Sequence, residues 1–141
     1  MKNLMFLMAG VLFITACDST NLDEMTLQQV ALEIQDEIRT PRASNISQCK
    51  LLSVGPKPCG GPFMYLSYST MVSNEGRLNI LREKYWELNH QRNIENGLYS
   101  DCSFLNPPKI TFENGVCGPE NNWYYFERLS GHDALPVRWS H

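Results

Sequence analysis

The 141-residue sequence has no apolar run of the roughly 20 residues that a membrane-spanning helix requires. It has no excess of positive charge: 12 Lys and Arg stand against 15 Asp and Glu, for a net charge of −3. A mildly acidic chain without a basic patch argues against nucleic acid as a partner. No Cys-x-x-Cys pair occurs, and the three histidines, His90, His132 and His141, are scattered. The ligand spacing of a zinc site is therefore missing, and no metal is expected. Cys59-Gly60-Gly61-Pro62 lacks the following helix and lysine of a phosphate-binding loop. There are no internal repeats and no low-complexity tracts.

What is present begins at the N-terminus. Lys2 precedes an apolar stretch from Leu4 to Ile14, and the small residues Thr15 and Ala16 lead to Cys17. This is the order of a secretory signal, with basic, apolar and small-residue regions in turn. The ending Ile14-Thr15-Ala16-Cys17 resembles a bacterial lipobox. That resemblance implies diacylglycerol on the Cys17 sulfur, cleavage before it, and acylation of the new amine. Several acyl chains anchor stably, at about 0.8 kcal/mol per buried CH2. The covalent lipid is the only attached group expected, with no cofactor. The expected organisation is a signal peptide over 1–16, a lipid-anchored tether over 17–22 and one domain over 23–141. The mature chain keeps 11 basic and 15 acidic residues, a charge of −4, so the lipid and not surface charge must hold it at the membrane. Asp18 directly follows the lipid cysteine and resembles the signal that keeps enterobacterial lipoproteins in the inner membrane, facing the periplasm.

Four cysteines then remain: Cys49, Cys59, Cys102 and Cys117. An even number in an exported domain reads as two disulfides. Three pairings are possible. The nested pairing, Cys49 with Cys117 and Cys59 with Cys102, is favoured because it would tie an early strand to the last and clamp both ends of a central helix. Closing such long loops is worth about 2–4 kcal/mol each, which suits a small core.

Leu27, Val30, Ala31, Ile34 and Ile38 recur at helical spacing and predict a helix over about 23–39, stopped by Pro41. Its polar face is acidic, so packing on the domain is favoured over lying on anionic lipid. Residues 48–55 read as a strand, 55–62 as a proline- and glycine-rich turn, and 63–69 as a second strand. Ser73 or Asn74 caps a second helix, over about 74–95, with the seam Leu78, Leu81, Tyr85 and Leu88. It should stop near Asn96-Gly97. Ile110 and Phe112 alternate with Thr111, and Asn114-Gly115 is a two-residue hairpin signal. Residues 121–129 are a further strand candidate. The expected fold is α+β: two helices against a small, mainly antiparallel sheet, stapled by two disulfides.

Within residues 47–117, Cys49, Gly55, Lys57-Pro58-Cys59-Gly60-Gly61-Pro62, Tyr65, Leu66, Tyr68, Ser69, Asp101-Cys102, Pro107-Pro108, Gly115 and Cys117 form a pattern. It resembles a group of small bacterial secreted or lipid-anchored proteins that share Q-C, G-x-K-P-C-G-G-P, Y-L-x-Y-S, D-C, P-P and G-x-C. The resemblance implies a disulfide-containing lipoprotein and implies no reaction.

Candidate chemistry is thin. Cys59 as a nucleophile would need a base, and no histidine is near it in sequence. Glu33 with Glu37, and Glu83 with Glu87, are spaced to share a helical face, but such pairs are usually a solvated surface. Ser130, His132 and Asp133 are triad residue types, but they lie almost side by side, and a triad is defined by a geometry that the sequence does not supply. Two features could bind. One is the loop Gly55, Lys57, Pro58, Gly60, Gly61 and Pro62, built as an inhibitor loop would be, with Lys57 able to reach outward. The other is an aromatic surface at Trp123 and Tyr125, which share one face if the segment is a strand. For each, the competing reading is structural: a turn in the first case, core or tail cover in the second. The expectation is a non-enzymatic, lipid-anchored binding or inhibitor-like module whose partner is an envelope protein or peptidoglycan. The alternatives are an envelope hydrolase and a structural or assembly lipoprotein.

Overall fold

A computed structural model describes residues 21–100 and 102–118. A single 3-10 turn, Leu22–Glu24, leads into helix α1, Leu27–Ile38. Strands β1, Cys49–Val54, and β2, Met64–Ser69, come next, then the long helix α2, Glu75–Glu95. Strands β3, Thr111–Glu113, and β4, Val116–Gly118, close the described fold. The expected α+β class holds; among the described residues every strand pairing is antiparallel, and the strands divide into two two-stranded sheets. The candidate strand over 121–129 lies outside the described residues.

Helix α1 starts about four residues later than the expected position 23, at Leu27, the first residue of its apolar stripe. The reason is local hydrogen bonding. Gln29 N donates to Thr26 Oγ1 at 3.3 Å, and Thr26 N donates to Gln29 Oε1 at 2.8 Å. This reciprocal capping box sets the start at Leu27 and is worth about 1 kcal/mol. Helix α2 begins where its cap residues indicated: Asn74 Oδ1 accepts from Arg77 N at 3.1 Å. The Asn74 N–H in turn donates to Glu37 Oε1 at 2.6 Å, so α1 supplies part of the cap of α2. Arg77 also bridges Glu33 and Glu37, which joins the two helices through charge.

β1 and β2 pair from Cys49 opposite Ser69 to Val54 opposite Met64. This register separates two faces. Lys50, Leu52, Val54, Met64, Leu66 and Tyr68 share one, and the helices cover it. Val30, Ala31, Ile34 and Ile38 of α1 and Leu78, Leu81 and Tyr85 of α2 complete that core. Each fully buried Ile or Leu contributes about 1.5–3 kcal/mol of transfer free energy. Cys49, Leu51, Ser53, Tyr65, Ser67 and Ser69 share the other face. There a smaller core forms from Ala43, Cys49 and Cys117, with Ile110 and Phe112 against it. Small side chains let the β3–β4 hairpin approach: fully buried Ser67 donates from Oγ to the Cys117 carbonyl at 3.2 Å.

The hairpin turn is Asn114-Gly115, with φ of 52° and 76°. Two successive positive φ values define the turn type that Asn-Gly favours between twisted strands. Pro41 to Ala43 run beside β4: Cys117 N donates to the Pro41 carbonyl and Ala43 N to the Gly115 carbonyl, each at 2.9 Å.

The disulfides are nested. Cys49 joins Cys117, with alpha carbons 5.4 Å apart, and ties β1 to β4. Cys59 joins Cys102, with alpha carbons 5.3 Å apart, and ties the loop after β1 to the segment after α2.

Candidate functional site

The loop between β1 and β2 divides into a buried base and an exposed tip. Gly55 is at φ 73°, where a side chain is disfavoured. The ring of Phe63 fills the space in front of it, 1.8–2.0 Å from where a Cβ would stand. Phe63 itself packs at 6.2 Å from the ring of Tyr85 on α2. The next residue, Pro56, turns its carbonyl toward the same helix. There it accepts from Asn89 Nδ2 and from Asn93 Nδ2, each at 3.1 Å.

Lys57 departs from the sequence reading. It was expected to reach outward as a cation, yet it is only 7 % exposed. Its Nζ donates to the Ser103 carbonyl at 2.6 Å and to Ser103 Oγ at 3.2 Å. A buried ammonium must be hydrogen-bonded to offset its lost hydration, and the segment after α2 supplies the acceptors. Lys57 therefore fastens the loop to that segment and does not project from it. Its backbone closes the turn: Lys57 N donates to the Gly61 carbonyl and Gly60 N to the Lys57 carbonyl, both at 2.8 Å.

Pro58, Cys59, Gly60 and Gly61 form the exposed tip, and Pro62 is half-buried. Nothing lies within 4 Å of where a Cβ would stand at Gly60 or Gly61, and both have positive φ, 91° and 75°. Two sets of bonds pin the tip: the Cys59–Cys102 disulfide on one side, and the Pro56 and Lys57 anchors on the other. The result is a small, stiffened, solvent-facing projection.

Asn89 and Asn93 carry this arrangement, and the sequence reading missed them. A signal existed. They continue the seam Leu78, Leu81, Tyr85 at steps of four, and a polar residue on a buried stripe implies an inward hydrogen bond.

The carboxylate pairs resolve differently. Arg77 bridges Glu33 and Glu37, and Glu37 caps α2, which is a structural role. Exposed Glu83 pairs with Arg82, and exposed Glu87 with the largely covered Lys84, along α2. His90 is exposed and stacks on Trp86, with ring centroids 4.9 Å apart. Among the described residues, no group of three or more His, Cys, Asp or Glu could hold a metal ion, and no helix is long and apolar enough to cross a membrane. Cys17, the aromatic residues Trp123 and Tyr125, and Ser130, His132 and Asp133 lie outside the described residues.

One polar network stands apart from the loop. Glu75 Oε1 accepts from Tyr68 Oη and from Lys50 Nζ, each at 2.7 Å. The bond from Lys50, then that from Tyr68, holds the Glu75 carboxyl below its usual range. Burial, and then the hydrogen bond to Glu75, pushes the Tyr68 phenol up to about 12. The trio joins β1, β2 and the first turn of α2.

No protein-family model matches the chain, no curated protein matches it, and no solved structure matches it.

Proposed function

We propose that the protein is a lipid-anchored lipoprotein of the bacterial cell envelope, related by its cysteine, proline and glycine pattern to the group of small disulfide-containing proteins described above. Its domain binds an envelope protein or a peptidoglycan component through the Pro58–Gly61 tip and catalyses no reaction. The anchor is supported by the order of basic, apolar and small residues before Cys17. The binding role rests on one observation: the exposed tip is pinned from both sides before any partner arrives. A loop already held in one shape loses little entropy on docking, so modest contacts suffice for useful affinity.

Two measurements test the two halves separately. Growth with labelled palmitate should label the wild-type protein, and Cys17→Ser should abolish the label and release the domain from membranes. A variant that keeps the label refutes the anchor. Capture of partners from envelope extracts should fall by about tenfold or more when the tip carries Pro58→Glu, as expected when a central contact is lost. Equal capture by both proteins refutes the tip as the binding element.

A further inference from the structure

The two disulfides have opposite surroundings. Cys49 and Cys117 are 5 % and 3 % exposed and sit in the smaller core with Ala43, Ile110 and Phe112. Cys59 and Cys102 are both exposed, and neither belongs to either core. Both of their sulfurs lie 3.6 Å from one backbone oxygen, the Ser100 carbonyl, on irregular chain. A disulfide is reduced when a thiolate reaches one of its sulfurs, so access governs the rate.

We propose that Cys59–Cys102 is a redox-labile latch, opened by a dithiol reductant while Cys49–Cys117 stays closed. A thiolate of the dithiol attacks one sulfur and forms a mixed disulfide. The Cys59–Cys102 bond breaks, and the departing sulfur takes a proton. The second thiol of the reductant then closes its own disulfide and releases the other cysteine as a thiol. Two electrons pass from the dithiol to the protein, and no other reactant is needed.

The consequence is local. Between Glu95 and Thr111 no helix or strand occurs among the described residues. This strap is held at its start by Leu98 N on the Asn93 carbonyl, at its middle by Lys57 on Ser103, and by the latch. Opening the latch removes the covalent hold and leaves the hydrogen bonds. Both hydrophobic cores and the β1–β4 link are untouched by the reaction. The protein thereby gains a second state, with one free thiol at the tip, one on the strap, and a looser strap, without unfolding.

The test uses the oxidised full chain, dithiothreitol at increasing concentration, and alkylation followed by peptide mass mapping. Cys59 and Cys102 should become alkylated at least about tenfold faster than Cys49 and Cys117, because attack requires access. Amide hydrogen exchange on the partly reduced protein should rise over 57–62 and 98–109 and stay unchanged over β1 and β2. Equal rates for the two pairs, earlier opening of Cys49–Cys117, or a rise in exchange across both strands would overturn the proposal. None of these readouts depends on a membrane anchor or on a partner at the tip.

Discussion

The side-chain amide of Asn93, near the end of α2, donates to the carbonyl of Pro56, 37 residues earlier in the chain. Asn89, one helical turn before, donates to the same oxygen. Both asparagines are buried, at 8 % and 7 % exposure, so neither amide can rely on bulk water. A carbonyl has two lone pairs, and here two amides use them. The position of the loop is thus decided by the far half of α2, and with it the direction in which the tip points.

Replacing Asn93 by Ala should cost about 1–2 kcal/mol of unfolding free energy, the usual loss when a buried hydrogen bond is broken. Asn89→Ala should cost a similar amount. The double variant should depart from the sum of the two, because both bonds end on one oxygen and the second loss leaves it unpaired. Urea denaturation of the three variants measures this. Independent, additive effects would mean that the two amides do not act on a shared acceptor.

Gly55 and Gly60 belong to the same loop and both have positive φ, but they should respond differently to substitution. At Gly55 a methyl would meet the Phe63 ring, which packs in turn on Tyr85. Overpacking and backbone strain together should make Gly55→Ala cost about 2–4 kcal/mol. At Gly60 there is open space, so only the backbone term of about 1–2 kcal/mol applies. Thermal unfolding of the two variants should rank them in that order. Equal midpoints would mean that the ring does not fill the space before Gly55.

Stability should fall at alkaline pH through two tyrosines. Burial pushes the Tyr85 phenol up to about 12, and burial with the Glu75 contact does the same for Tyr68. An unfolded tyrosine loses its proton near 10, so between about pH 10 and 12 only the unfolded state ionises. The folded state therefore binds more protons than the unfolded state, and stability declines as pH rises through that window. For Tyr85 the loss should approach about 2–3 kcal/mol, and Tyr85→Phe should remove that part of the slope. Urea midpoints of the wild type and the variant across the window provide the comparison. Parallel curves would show that Tyr85 does not titrate differently on folding.

Much of the architecture was legible in the residues. The step of three and four in Val30, Ile34 and Ile38, and in Leu78, Leu81 and Tyr85, marks both helices, because a helix returns to the same face at that spacing. Asn114-Gly115 marks a hairpin, because few other pairs accept two positive φ values in succession. The start of α1 was a local signal that went unread: Thr26 and Gln29 stand at capping-box spacing, and their bonds set the first helical residue at Leu27, where the apolar stripe itself begins. Less was legible where partners are distant in the chain. Lys57 looked like a free cation because its acceptors on Ser103 lie 46 residues away.

Local terms follow from the residues alone: which segments are helical or extended, and where the caps and the hairpin turn fall. Each follows from neighbours within a few residues, whose contacts cost little chain entropy to form. Long-range packing selected one of the three disulfide pairings. The smaller core brings Cys49 to Cys117 across 68 residues, and the strap brings Cys59 to Cys102 across 43. It also decided which part of the loop faces water. Burial of Gly55, Pro56 and Lys57 depends on surfaces from α2 and the strap, which lie more than 30 residues further along the chain. Pairings across such distances depend on the free energy of the whole packed molecule, which no local stretch of residues encodes.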